Sequence, residues 1–115
     1  MKVIIAGSRN FNDYNQLCEL CDDLFKDCKN VEIVSGTANG ADKLGERYAN
    51  ERGYKLHRFP ADWDKYGKSA GYIRNEEMAN FSNALIVFWD KKSKGTKHMI
   101  DIANNAKLVV SINYF

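Results

Sequence analysis

The sequence predicts an α/β domain: a Rossmann-like, open, mostly parallel sheet of five strands with helices on both faces. Three observations carry this. Short β-branched runs alternate with segments of helical period along the whole chain. Small-residue loops follow the first, second and fourth strands, and a longer polar loop follows the third. The length of 115 residues suits a single domain with one core.

The elements follow in order. Lys2 to Ala6 is an apolar, β-branched run broken by Gly7-Ser8-Arg9-Asn10, and reads as the first strand. Asp13 is a candidate N-cap for a helix to about Lys26, on which Leu17, Leu20, Cys21, Leu24, Phe25 and Cys28 recur at helical spacing. Val31 to Ser35 is the second strand, and Gly36-Thr37-Ala38-Asn39-Gly40 its loop. Ala41 to Arg52 is the second helix, closed by Gly53. Tyr54 to Phe59 is the third strand, ended by Pro60. Ala61 to Ala70 reads as a long polar and aromatic loop, long enough to be functional. Gly71 to Phe81 is the third helix. Ala84 to Trp89 is wholly apolar, as a strand covered on both faces would be. Asp90 to Lys94 is a loop, Gly95-Thr96 opens a fourth helix through Asn105, and Lys107 to Ile112 is the fifth strand.

Composition narrows the function. Hydrophobic residues make up 44% and charged residues 28%, so disorder is excluded as the dominant state. No apolar run approaches the roughly 20 residues that cross a bilayer, which argues against a membrane partner. The apolar start is too short for a signal peptide, and a cytoplasmic location is expected. Seventeen basic against fifteen acidic residues give a net charge of +2. Such a balance supplies no general attraction to nucleic acid, so any anion site must be local.

In open parallel sheets, ligands bind beyond the carboxyl ends of the strands, where the strand order switches. The loops at that edge share a character. Gly7, Ser8 and Arg9 follow the first strand; Gly36, Thr37, Gly40 and Asp42 the second; Arg74 and Asn75 lie in the first turn of the third helix; Ser93, Gly95 and Thr96 follow the fourth strand. Glycine allows close backbone approach, helix N-termini and hydroxyls donate to phosphate, and arginine grips it with two donors. Together they describe a phosphate-lined cleft. Trp63 and Tyr66, in the long loop, either pack that loop down or stack on a base. Neither G-x-G-x-x-G nor G-x-x-x-x-G-K-[ST] is present.

Cys18 and Cys21 form a C-x-x-C inside the first helix, on or beside its apolar stripe, with Cys28 further on, which favours a core role over redox chemistry or metal. No metal site and no cofactor are expected. His57 and His98 have no ligand-pair spacing and read as structural or surface residues. Tyr54, Phe59, Phe88 and Trp89 are assigned to the sheet core.

The motifs G-S-R-N-F, S-G-T-A-N-G-A-D-K-L, A-G-Y-I-R-N-E-E-M-A and A-L-I-V-F-W-D followed by S-K-G-T-K-H-M-I resemble the YspA-like branch of the SLOG superfamily. The resemblance runs from Lys2 to about Ala106. It implies a Rossmann-like fold over residues 1–115 that binds a nucleotide or nucleotide-derived ligand, possible ADP-ribose-type molecules included, and a homodimer. Relatives include cytokinin-activating phosphoribohydrolases and the DNA-processing protein A group. Arg74 and Met78 match the arginine and methionine of the phosphoribohydrolases, and Gly95-Thr96 match the G-T of their P-G-G-x-G-T-x-x-E. Met99 stands where that motif has its glutamate. A thioether cannot act as acid or base, so binding without catalysis is expected, in a binding subunit or a sequestering protein. The alternatives are a hydrolase using Asp42, Asp90 or Glu76 on an N-glycosidic or phosphate bond, and a single-stranded nucleic-acid-binding protein. The second rests on S-G-T-A-N-G-A-D and on Lys91, Lys92, Lys94 and Lys97.

Overall fold

The computed structural model describes the whole chain, Met1–Phe115. Five strands, β1 (Lys2–Gly7), β2 (Glu32–Ser35), β3 (Lys55–Arg58), β4 (Ala84–Trp89) and β5 (Val109–Tyr114), form one sheet. Its order is β3-β2-β1-β4-β5, and every pairing is parallel. The helices are α1 (Tyr14–Phe25), α2 (Ala41–Arg52), α3 (Trp63–Tyr66), α4 (Ala70–Phe81) and α5 (Lys94–Asn105). No helix is long and apolar enough to cross a membrane.

The period of two along each strand builds two cores. Val3, Ile5, Ile33, Ile86 and Phe88 pack under α1 and α2 with Leu17, Phe25 and Tyr48. Ile4, Ala6, Val34, Leu85 and Val87 pack under α4 and α5 with Met78, Met99 and Ile100. β1 and β4 are therefore covered on both sides, as their unbroken apolar runs require. Phe88 is buried; Tyr54, Phe59 and Trp89 are half-buried against these cores.

Local signals set the helix ends. Asp13 caps α1 by accepting from the Gln16 N–H at 3.1 Å. Gly53 caps α2, its N–H donating to the Ala49 carbonyl. Two expectations shift. The stretch expected as a loop from Ala61 to Ala70 is largely helical: Asp62 caps α3 through the Lys65 N–H at 3.1 Å, and Gly67–Ser69 form a 3-10 turn leading into α4. One turn of helix is too short to leave a periodic signature. β5 starts two residues later than expected, because Lys107 (φ 63°) and Leu108 are still closing α5, with the Leu108 N–H bonded to the Ala103 carbonyl at 3.0 Å.

Cys18 and Cys21 fall on α1 as the helical pattern puts them, whereas Cys28, expected on the same stripe, lies three residues past the end of the helix. Cys21 is buried in the core, and Cys18 and Cys28 pack against it. Burial and the neighbouring Cys18 and Asp22 push the Cys21 thiol up to about 12, outweighing the opposing effect of Arg52. At pH 8, Ellman's reagent is expected to modify Cys18 and Cys28 first and Cys21 only at the rate of unfolding. Equal labelling rates for all three thiols would contradict this packing.

Candidate functional site

The strand order reverses direction between β1 and β4. The loops after them therefore diverge to opposite faces and leave a crevice at the carboxyl edge. A cleft of about 240 Å3 lies there. Gly7, Arg9, Asp42, Trp63, Arg74, Asn75, Ser93, Gly95 and Thr96, all expected from the sequence, line it. Ser8, Gly36, Thr37 and Gly40 do not; they hold the cleft's walls together.

Ser8 fastens three elements. Its N–H donates to the Phe88 carbonyl at 2.9 Å, and its own carbonyl accepts from Phe11 at 3.2 Å and Ala41 at 3.4 Å. Its hydroxyl accepts from the Asp90 N–H at 3.2 Å. Gly40 sits against this staple: a Cβ there would lie 2.4 Å from the Ser8 carbonyl oxygen and 2.5 Å from that of Arg9. Thr37, at φ 67°, turns the second loop, its N–H held by the Ser35 hydroxyl at 3.0 Å. Ser35 in turn donates to Glu46 at 2.7 Å.

Gly36 lies between two opposite charges. A Cβ on it would sit 2.8 Å from Asp42 Oδ2 and 2.9 Å from Arg74 Nη1. The missing side chain lets the Arg74 guanidinium reach the Gly36 carbonyl and face Asp42. Arg74 Nε donates to Asn75 Oδ1 at 3.1 Å, which fixes the plane of the guanidinium. Burial lowers the Arg74 pKa, and the Asp42 charge works against that. Asn75, itself buried, ties α4 to α5 by donating to the Gly95 carbonyl at 3.4 Å and pairing with His98 Nδ1 at 3.1 Å. The Tyr72 ring stacks on His98 with centroids 4.2 Å apart.

Asp42 is buried at the start of α2, where it accepts the Ala38 N–H at 3.2 Å. Burial outweighs this bond, the Arg74 charge and a bond from the Gly7 N–H, and pushes the carboxyl up from 3.8 to about 6. The sign for stability follows. Below about pH 4 the carboxyl is protonated in both folded and unfolded chains, and above about pH 6 it is charged in both. Between them the unfolded chain releases its proton first. The folded state therefore loses about 3 kcal/mol from this group as pH rises through that window. The urea stability of Asp42→Asn relative to the parent is expected to improve by about that amount from pH 4 to 7. Parallel pH profiles for the two proteins would refute it.

The other two carboxylates considered for acid–base work are placed differently. Asp90 accepts from the Lys92 and Ser93 N–H groups at 2.9 Å each, which holds its pKa below the usual range. Glu76 is exposed on α4 and does not line the cleft. Ser93 caps α5, its hydroxyl accepting from the Thr96 N–H at 3.3 Å and the Thr96 hydroxyl at 2.9 Å. Met99, in place of the motif's glutamate, is buried in the cleft wall.

The structure adds residues that sequence reasoning missed. Lys68, Tyr72 and Ala38 also line the cleft. Tyr72 lies on the first turn of α4, two residues before Arg74, a spacing that on a helix gives no sign that both would reach the cleft. Lys68 is brought in by the 3-10 turn and left no spacing signal. Tyr66, an alternative to Trp63, is outside the lining. His98 stands behind the site through Asn75 and Tyr72, whereas His57 pairs with Glu32 at 2.6 Å, away from it.

A five-stranded parallel sheet of this order, with its cleft at the switch between β1 and β4, is a Rossmann-like α/β domain. The model of the YspA, cpYpsA-related SLOG family matches residues 1–66, and the chain belongs to that family. It is 34% identical to the Gene 61 protein of Mycobacterium phage D29, over 98% of this chain and 95% of the relative. A solved structure of DNA processing protein A from Helicobacter pylori, reported for its single-stranded DNA binding mode, superposes with a TM-score of 0.71 at 19% identity. That match covers 97% of this chain but only 64% of the other, and it speaks to the fold.

Proposed function

We propose that the cleft binds a nucleotide or nucleotide-derived phosphorylated small molecule, without turnover. The observation that supports this most is the convergence of Arg9, Lys68 and Arg74 with the first turns of α4 and α5 on one crevice. Guanidinium, ammonium and helix N-termini all favour phosphate. Arg9 and Lys68 take the outer phosphate oxygens, and Arg74 with Gly95 and Thr96 the inner ones. The Asp42 carboxylate accepts from a ribose hydroxyl. Trp63 and Tyr72, 55% and 47% exposed, offer faces for a base at the mouth. A volume of about 240 Å3 is below the roughly 300–1,000 Å3 of sites that enclose a whole ligand. The cleft therefore takes the sugar-phosphate part and leaves the base on the aromatic rim. Met99 supplies no proton and no charge, which favours a binding subunit or a sequestering protein over a hydrolase. The proposed assembly is a homodimer in the cytoplasm.

The test is mass spectrometry of small molecules released from the denatured protein, followed by thermal shifts with AMP, ADP-ribose and inorganic phosphate. A ligand at a hundred times its dissociation constant adds about 2.7 kcal/mol, enough to move the melting point by several degrees. An intact nucleotide that survives incubation is the expected result. Its conversion to base and sugar phosphate would make the protein a hydrolase. No shift with any of them, together with single-stranded DNA affinity that falls steeply with salt, would move the assignment to nucleic acid.

A further inference from the structure

The sheet has two free edges, β3 and β5, and they are built differently. β3 is four residues, Lys-Leu-His-Arg, charged at both ends and followed closely by Pro60. Charge, short length and proline are the usual guards against edge-to-edge pairing. β5 is six residues, Val-Val-Ser-Ile-Asn-Tyr, with neither charge nor proline. Val109 is 75% exposed and Tyr114 53%.

Parallel pairing with β4 decides which backbone groups of β5 stay free. The Val109 N–H donates to the Asn83 carbonyl at 3.2 Å and the Phe115 N–H to the Trp89 carbonyl at 3.3 Å. The odd-numbered residues thus turn N–H and C=O toward β4. Val110, Ile112 and Tyr114 direct theirs outward, into an open row of donors and acceptors. The sheet face on the α1 side is also bare beside this row. There an apolar groove of about 170 Å3, lined by Met1, Leu24, Phe25, Ile86 and Val109 among others, runs along the strand.

We propose that a second copy of this chain occupies the β5 edge, antiparallel, across a two-fold axis through Ile112, to give one continuous ten-stranded sheet. The homodimer belongs to the reading above; the edge says how it is made. The row is self-complementary. A two-fold axis normal to the sheet keeps each face on its own side, so only residues of equal parity can stand opposite one another. With the axis at Ile112, Ile112 faces its own copy and Val110 faces Tyr114, and every outward N–H meets an outward carbonyl. Centring on Val110 or Tyr114 leaves part of the row unpaired. The same register sets Val109 opposite Phe115 on the bare face, an apolar pair that closes over the groove's end. No like charges meet, since β5 carries none. The two clefts then lie on opposite edges of the joined sheet, each built from one chain, so ligand binding does not depend on the interface.

Sedimentation equilibrium of the full chain is the test, with Ile112→Lys and Ile112→Pro beside it. Proline at 112 deletes only an outward N–H and leaves the ladder to β4 whole. The expected result is a mass of twice 13.1 kDa for the parent and a single 13.1 kDa species for both variants, at unchanged far-UV circular dichroism and unchanged AMP or ADP-ribose thermal shifts. A parent that stays monomeric at hundreds of micromolar would overturn both the dimer and its edge. A dimer that survives both substitutions would overturn the edge alone. Hydrogen exchange of the parent gives the same answer should a variant fail to fold. The Val110, Ile112 and Tyr114 amides are expected to be protected in a concentration-dependent way, and rapid exchange of all three at high concentration would refute the pairing.

Discussion

Gly40→Ala is expected to lower stability by about 3–5 kcal/mol, read as a large drop in the urea midpoint at unchanged slope. Two costs add. Gly40 sits at φ 80°, ψ −129°, a conformation that an L side chain rarely adopts. Its added Cβ would also meet backbone rather than a yielding side chain: the carbonyl oxygens of Ser8 and Arg9 at 2.4 and 2.5 Å. Relief would require the first and second loops to part, which breaks the Ala41-to-Ser8 bond. A loss below about 1 kcal/mol would mean that the two loops are not held against each other.

Arg74→Ala is expected to reduce affinity for the proposed nucleotide ligand by about 30- to 1,000-fold, or about 2–4 kcal/mol. The arginine is half-buried, oriented by Gly36 and Asn75, and balances the charge on Asp42. Its removal takes one cation from the proposed phosphate site and leaves Asp42 to repel an anion there. Arg74→Lys is expected to recover only part of the loss. An ammonium keeps the charge but cannot bond Gly36 and Asn75 while presenting a planar fork to phosphate. Titration calorimetry with AMP or ADP-ribose compares the three proteins. Equal affinity for all three would remove Arg74 from the site.

The strands and their order of faces were legible because their residues obey one constraint at a time. Val3 to Ala6 and Ala84 to Phe88 must be apolar on both sides, and nothing else competes. The cleft was legible as a set of loops, since the switch-point rule needs only topology. What escaped was the division of labour within those loops. Ser8 and Gly40 have the composition of phosphate ligands, yet their groups bond or abut neighbouring backbone. Only the packing of the first loop on the second reveals it. Tyr72 and Lys68 escaped for the opposite reason: a lone ring and a lone ammonium carry no spacing. The helical turn before α4 was hidden by its brevity, although Asp62 marks its start.

The position of β1 bears on how the protein is made. It is the first of the five strands in chain order and the centre of the sheet, pairing with β2 some thirty residues on and with β4 about eighty residues on. β1, β2 and β3 with α1 and α2 all precede β4 in the chain and leave the ribosome before it. Through that interval the far side of β1, with the row that later receives β4, is open to any extended strand. Arg9 and Asp42 are in place early, whereas Arg74, Gly95 and Thr96 arrive only after Ala84 to Trp89 has docked. The candidate cleft is therefore complete only after the long-range β1–β4 ladder closes, which ties its formation to the most sequence-distant pairing in the sheet.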